Sequence, residues 1–503
     1  MNVITPKYDI NSYFCTWSSQ SDLRKIYTRR FENGVFSTRD MLNEETVFGE
    51  GGLIHQFPEI RDRLIFLLDD GWDVPYGLTN NANGDFGSLI VNEARFPFCI
   101  GEPRERLKIL SDRIKSHGWK GTGIWICASG KGEKNDSIFS MEEREKYWRE
   151  RLAWSQYAQI AYWKVDWGVL CWDVAFRRQL NQWKDEIYPE LIIEHANPCA
   201  PLSGIDRNSH SPDESGRFGD WGKAPQTICR LADFSDVIRT YDVSPTLSVP
   251  TTLDRVQYLL RAGTATGSQA YMNAEDEAYI CAALSLEIGV MTNQLRGDDG
   301  TLLRKNAAEA IRAVNWLTAF APPYPIGVGE VETTNEVLID TCNFAGKDTW
   351  VQNYGDREIP QGAPAFMGRN MPLPQAEYLS GEKPYIIAGR HPNGAQTIAV
   401  LPRYRENWGF YVPPVKIQLA HSTNNPLGIF GILEELTLVL EQPLAEKRIF
   451  VQDLAGDSAT DITEECSVNG NSIQIRGNLL ARLGTLANTQ GEQSMPGLVL
   501  KVL

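Results

Sequence analysis

The sequence predicts an α/β chain in which a (β/α)8 barrel over residues 1–325 is followed by an all-β sandwich over residues 326–503. Three observations predict it. Short apolar runs alternate with charged amphipathic segments through the first two-thirds of the chain, as strands and helices do around a parallel barrel. Pro322, Pro323 and Pro325 then mark a change of texture, and beyond them short alternating runs are separated by Gly, Asn and Pro turns. The 503 residues also exceed the roughly 250–300 at which a single core stops growing, so more than one unit is expected.

In chain order, strands are expected at Tyr13–Trp17, Leu64–Asp69, Gly121–Cys127, Ala161–Asp166, Leu191–Glu194, Val237–Tyr241, a weak run near Gln269–Met272, and Val290–Asn293. Helical spacing of apolar residues is clear in Arg104–His117, Met141–Gln159, Val174–Ile187 and Asn306–Ala319. The boundary is placed at about 322–330, after which Ile386–Gly389, Thr397–Leu401, Ile432–Leu440, Arg448–Leu454 and Leu498–Val502 are expected as sandwich strands. Ser203–Gly222, rich in Gly, Ser and Asp, is expected as a long loop after the fifth strand, on the face where barrels carry function.

Composition excludes several classes. With 49 Lys and Arg against 64 Asp and Glu the formal charge is −15, which leaves no basic face for nucleic acid. No apolar run approaches the about 18 residues of a membrane span. Nine cysteines without a CxxC pair are expected as reduced thiols, neither a zinc site nor a disulfide framework. Neither HExxH nor an EF-hand pattern is present, so no metal is expected. The N-terminal residues have no apolar leader core, and the expectation is a cytoplasmic protein, or an exported one if a leader has been trimmed. A homo-oligomer is left open. Of 14 tryptophans, 12 precede residue 320. Aromatic faces stack on sugar rings, so a neutral carbohydrate is a first expectation, although Trp is equally a core residue.

In a barrel the chemistry sits where the strands end. The second strand ends in Asp69-Asp70-Gly71-Trp72, the third in Gly123-Ile124-Trp125, the fourth in Lys164-Val165-Asp166 and the sixth in Arg239-Thr240-Tyr241-Asp242. Lys164 and Asp166, two apart on a strand, point to the same side, where the ammonium favours the ionised carboxylate. Asp166 and Asp242 would face each other across the mouth. Two carboxylates about 5–5.5 Å apart are what retaining glycoside hydrolysis requires. The bland alternatives are barrel-mouth ion pairs for Lys164–Asp166 and Arg239–Asp242, and a simple turn for Asp69-Asp70-Gly71.

Taken together, these strand ends resemble the clan of retaining α-galactosidases and α-N-acetylgalactosaminidases, glycoside hydrolase families 27 and 36. Trp17 resembles the clan's first-strand Trp, Asp69-Asp70-Gly71-Trp72 its Asp-Asp-x-Trp, and Gly123-Ile124-Trp125 its third-strand motif. Lys164-Val165-Asp166 is similar to its Lys-x-Asp nucleophile motif, Arg239 to Val243 to its acid/base segment, Met272 to Asp276 to its Asn-Asp-Pro-Asp loop, and Val290 to Arg296 to its eighth strand. The resemblance implies Asp166 as nucleophile and Asp242 as acid/base. It implies a sugar pocket of Trp17, Asp69, Asp70, Trp125, Lys164, Asn197, Arg239 and Asp276, a glycoside substrate, no cofactor, and terminal α-galactosides as the favoured target. An α-N-acetylgalactosaminidase, a β-L-arabinopyranosidase and an inactive sugar-binding barrel are the alternatives. The chain departs from the clan in Glu194–Cys199, in the three-residue spacing from Arg239 to Asp242, in the missing proline near Asp276, and in about 45 residues between Trp17 and Leu64 that resemble an insertion.

Overall fold

The computed structural model describes residues 1–30, 36–77, 88–128, 140–168, 170–171, 173–196, 224–240, 245–344, 357–444 and 447–503. Its first half runs β1 (Tyr13–Cys15), α1 (Trp17–Arg30), α2 (Glu44–Phe48), β2 (Ile65–Leu68), α3 (Pro103–Ser116), β3 (Gly121–Ile126), α4 (Met141–Ala158), β4 (Ile160–Val165) and α5 (Val174–Ile187). It continues with β5 (Ile192–Ala196), α6 (Ala224–Ala232), β6 (Val237–Arg239), α7 (Ser248–Thr266), β7 (Tyr271–Asn273), α8 (Ala278–Leu284), β8 (Gly289–Val290) and α9 (Ala307–Ala319). All eight strands are parallel neighbours in the order β7-β6-β5-β4-β3-β2-β1-β8. A parallel bridge between Asn273 and Glu287 closes the ring, with the Glu287 N–H donating to the Met272 carbonyl at 2.8 Å. The expected (β/α)8 barrel is therefore present.

Local chemistry explains the helices. Pro103 opens α3 behind a capping box of Glu102 and Glu105, Ser140 and Glu143 make the same box on α4, and Asp173 caps α5 through the Phe176 N–H. Their apolar stripes, such as Leu107, Leu110 and Ile114 on α3, bury against the outer strand faces. Inside the ring a separate cluster of Tyr13, Cys15, Ile65, Leu67, Tyr162, Val237 and Met291 fills the barrel. Gly289 is required there, because a Cβ would lie 2.8 Å from the Tyr13 ring.

The largest departures from the expected strand limits are at the first and eighth barrel strands and in the sandwich, where the run expected at Ile432–Leu440 begins at Glu435. Trp17 opens α1 and does not close β1. The eighth strand stops at Val290, since Thr292 donates its N–H to Asp276 and Asn293 donates its side-chain amide to Asp22. The expected loop Ser203–Gly222 lies outside the described residues.

The second half is built on two large sheets, beside which Val337–Phe344 and Arg357–Pro364 pair as a separate two-stranded sheet. One has eight strands in the order Thr460–Asp461, Ile449–Asp453, Gly497–Val502, Leu427–Gly431, Gln396–Leu401, Tyr385–Arg390, Phe366–Arg369 and Val331–Thr333. The other has five, in the order Gln375–Tyr378, Val415–His421, Glu435–Leu440, Ser472–Arg476 and Ser467–Asn469. Their facing side chains, among them Ile398, Ile429, Leu419 and Leu438, form one core, with the short helix Gly477–Leu483 at its edge. Strands of the five-stranded sheet alternate buried and exposed residues, as a half-solvated sheet should. Gln396–Leu401 and Leu427–Gly431 are instead buried throughout, because their outer face lies on α8 and α9. Phe430 meets Tyr279 at 5.0 Å and Trp316 at 6.1 Å between ring centroids, and the Thr397 hydroxyl donates to the Ala283 carbonyl. The hairpin Arg403–Arg405/Gly409–Tyr411 projects from this half.

Candidate active site at the barrel mouth

Alternation along β1, β2 and β4 points Cys15, Asp69, Lys164 and Asp166 toward the same end of the barrel. The Lys164 ammonium lies between two carboxylates, 2.7 Å from Asp69 Oδ2 and 3.6 Å from Asp166 Oδ2. Both acids and the lysine are buried. The Cys15 thiol also donates to Asp69 Oδ2, and the Asp70 N–H to Asp69 Oδ1. Burial alone would raise the Asp69 carboxyl. Lys164, by charge and by hydrogen bond, with the Asp70 N–H and Cys15, outweighs that and holds it below the usual carboxylate range. Burial and the Arg239 charge oppose the Lys164 cation, yet Asp69, Cys15 and Asp166 keep its pKa above the ordinary lysine value.

Trp125, at the end of β3, donates its indole N–H to Asp166 Oδ2 at 3.0 Å and lies 5.2 Å from the Trp167 ring. The Asp166 backbone is pinned as well: its N–H donates to the Ile126 carbonyl, and its own carbonyl accepts from Arg177. Asp70 accepts from Arg39 Nε at 2.8 Å and lies 2.7 Å from Arg39 Nη2. Burial pushes the Asp70 carboxyl up; Arg39 pulls it back only in part, and Asp69 and Asp166 add to the rise.

Across the barrel, Arg239 on β6 is buried, with its Nε 3.5 Å from Glu275 Oε1 and its guanidinium 4.0 Å from the Met291 sulfur. Below it Glu194 on β5 accepts from Tyr13, Tyr162 and Asn273 at 3.0, 2.8 and 2.8 Å. Burial raises the Glu194 carboxyl despite the opposing Arg239 charge.

The structure thus brings Asp69, Asp70, Trp125, Lys164 and Asp166 into one cluster on the β2–β4 side. Trp17, half-buried, packs on the inner barrel cluster that contains Cys15 and Met291. Asp276 stands apart on the β7–β8 side, where its carboxylate accepts from the N–H groups of Met291 and Thr292. Its neighbour Glu275, turned by a left-handed backbone (φ 57°), is the acid that reaches Arg239. Asp242 and Asn197 lie outside the described residues. The sequence reading missed Arg39, Cys15, Glu194 and Glu275. Cys15 and Glu194 were findable from strand parity, since Lys164 pairs directly with Glu194 in the register. Arg39 was not, because it arrives from the segment between α1 and β2, 31 residues before Asp70.

A cavity of about 650 Å³ opens beside the mouth on the β7–β8 side, between Glu275, Asp276, Met291 and the hairpin carrying Phe410 and Tyr411. Burial pushes Asp276 up to about 6, Glu277 up to about 7 and Glu309 up to about 8. An acid whose folded pKa is raised binds protons that the unfolded chain has already lost. Its stabilising contribution is complete below the unfolded value and disappears as pH rises through the folded one. Unfolding midpoints are therefore expected to fall between pH 5 and 8. Glu309→Gln, which keeps the acceptor for the Met495 N–H, should gain about 1–3 kcal/mol over the parent at pH 8 and nothing at pH 4. Denaturant titrations at the two pH values check this, and an unchanged pH slope would contradict it.

No protein-family model matches the chain, and no curated protein does. Similar solved structures include a family GH27 β-L-arabinopyranosidase from Geobacillus stearothermophilus, at 10% identity and TM-score 0.41, covering 99% of this chain and 97% of that one. A protein from Bacillus halodurans C-125 assigned as an α-N-acetylgalactosaminidase is 12% identical over 100% and 98% of the two chains, with TM-score 0.37. A Bacteroides fragilis protein assigned as an α-galactosidase/melibiase is 10% identical over 99% of this chain and 79% of that one, with TM-score 0.40. Likeness at this level says nothing of the reaction, which has to be argued from the residues. Among the described residues no helix is long and apolar enough to cross a membrane.

Proposed function

We propose that the chain is a retaining glycoside hydrolase that removes terminal α-galactosyl groups, with residues 1–325 as its catalytic barrel and residues 326–503 as a sandwich walling one side of the mouth. One observation carries the reading. At the end of β4 the Asp166 carboxylate shares the Lys164 ammonium with Asp69 and accepts the Trp125 indole N–H, so a charged nucleophile stands beside a pair of carboxylates able to accept sugar hydroxyls.

In this mechanism Asp69 and Asp70 hold two hydroxyls and Trp125 walls the ring. Asp166 attacks the anomeric carbon from the face opposite the leaving group, forming a glycosyl ester as the glycosidic bond breaks. Asp242, assigned through its resemblance to the clan's Arg-x-x-Asp segment, gives its proton to the leaving oxygen and then takes one from the attacking water. Lys164 keeps Asp166 ionised before attack. The test is a panel of p-nitrophenyl α-galactoside, α-N-acetylgalactosaminide and β-L-arabinopyranoside. The reading predicts the fastest release from the first; faster release from either other sugar would reassign the specificity, and release from none would leave a sugar-binding barrel.

Arg39 enters the same account. Arg39→Ala removes the charged partner of Asp70 and is expected to lower kcat/KM by about 10–100-fold, the worth of one charge-assisted hydrogen-bond pair. Most of that loss should appear in KM. Steady-state kinetics decide, and an unchanged KM would remove Asp70 from the sugar contacts.

A further inference from the structure

The cavity beside the mouth has features that the proposed reaction does not use. It begins where the mouth ends: Glu275, whose carboxylate faces Arg239, and Met291, whose sulfur lies against the same guanidinium, form its inner wall. From there it runs outward between the barrel and the projecting hairpin. Val249 of the barrel and Phe410, Val412, Ile432 and Met495 of the second half line it. Phe410 is 58% exposed and Ile432 42%, so large apolar groups are held open to solvent along one wall. Isolated exposed apolar residues need no explanation, but several converging on one concave surface mark a contact site. The volume of about 650 Å³ is that of an ordinary small-ligand pocket.

Charge selects the occupant. Four carboxyls line the cavity, those of Glu275, Asp276, Glu277 and Glu309, against the two cations Arg304 and Lys305. Arg304 is already engaged by Asp22 at 2.8 Å. Burial holds Glu277 and Glu309 partly protonated near neutral pH, so an anionic group meets this surface unfavourably above about pH 8, whereas hydroxyl and ammonium donors find acceptors.

We infer that this cavity, built jointly by the barrel mouth and the sandwich hairpin, holds the leaving-group portion of the glycoside, and that this portion has an apolar face and is neutral or cationic. The inference rests on the glycosidase reading of the mouth and adds the substrate class: glycosides of aryl or similarly amphipathic alcohols. Phe410 and Ile432 supply the apolar contact, and the carboxyls, once ionised, reject acidic aglycones.

The test is calorimetric titration, at about pH 8.5 where the cavity carboxyls are largely ionised, of the Asp166→Ala protein, which does not consume the ligand, with galactose, phenyl α-D-galactoside and 4-carboxyphenyl α-D-galactoside. Phenyl galactoside is expected to bind about tenfold more tightly than galactose, and the carboxyphenyl compound to lose that advantage. Adding Phe410→Ala should cut the phenyl advantage about fivefold and leave galactose affinity unchanged, which is achievable because an exposed hairpin side chain is not needed for folding. Galactose binding with no phenyl advantage, or with one that Phe410→Ala and Ile432→Ser leave intact, overturns the cavity's role and spares the mouth. Absence of galactose binding overturns the reading of the mouth, and the inference with it.

Discussion

Asp166→Ala is expected to lower turnover of p-nitrophenyl α-galactoside by about 10³-fold or more while the protein folds as before. Loss of that size is what removal of the proposed covalent nucleophile predicts, since the two neighbouring acids of the cluster are both engaged. Asp69 is bound to Lys164 and Cys15, and Asp70 to Arg39. Folding should survive for the same structural reason. Lys164 retains Asp69 at 2.7 Å, so the ammonium is not stranded, and the backbone bonds of residue 166 to Ile126 and Arg177 do not involve the carboxylate. Circular dichroism and a denaturant midpoint near the parent's accompany the kinetics. Activity within tenfold of the parent would remove Asp166 from the chemistry.

The second large effect concerns stability. Arg312 on α9 is fully buried and meets Asp453 of the sandwich in two parallel bonds of 2.8 and 2.9 Å, with further bonds to Asn488 and the Met495 carbonyl. Asp453 is equally buried and also accepts from the N–H groups of Ala455 and Ala487. Breaking one side of such a pair leaves an uncompensated charge in the interior. Arg312→Ala is therefore expected to destabilise the protein by about 3–5 kcal/mol. Arg312→Met with Asp453→Leu should cost less than the single change, because no charge is then left alone. Urea midpoints of the parent, single and double variants check this; a single-variant loss below about 1 kcal/mol would mean that Asp453 is adequately held by its two N–H donors.

How far the sequence foretold these features depends on the length scale of the signal. The barrel was legible because strand ends such as Leu-Leu-Asp69-Asp70 and Lys164-Val165-Asp166 carry both the apolar run and the polar stop within six residues. The same parity argument places Lys164 and Asp166 on one side, and the ammonium does lie within reach of Asp166. It could not show that Lys164 is held more tightly by Asp69, since that contact spans 95 residues. Helix α7 was missed: Val249, Leu253, Val256 and Leu260 recur at helical spacing, but the fold also buries the polar Thr251, Thr252, Asp254 and Arg255 between them, which interrupt the apolar run in the sequence. Arg39 and the joint cavity were illegible for a related reason. Both are made by segments that meet only in the folded chain, the stretch between α1 and β2 brought back to the end of β2 and a sandwich hairpin brought to the ends of β7 and β8.

Whether Asp166 attacks the anomeric carbon is tested with Asp166→Gly in the presence of sodium azide, the product's anomeric configuration being read by proton NMR. Azide is expected to restore release from p-nitrophenyl α-galactoside and to yield β-galactosyl azide, inverted relative to the substrate, because the anion enters through the space the carboxylate leaves. Formation of α-galactosyl azide, or no rescue in a folded variant, would contradict that role for Asp166.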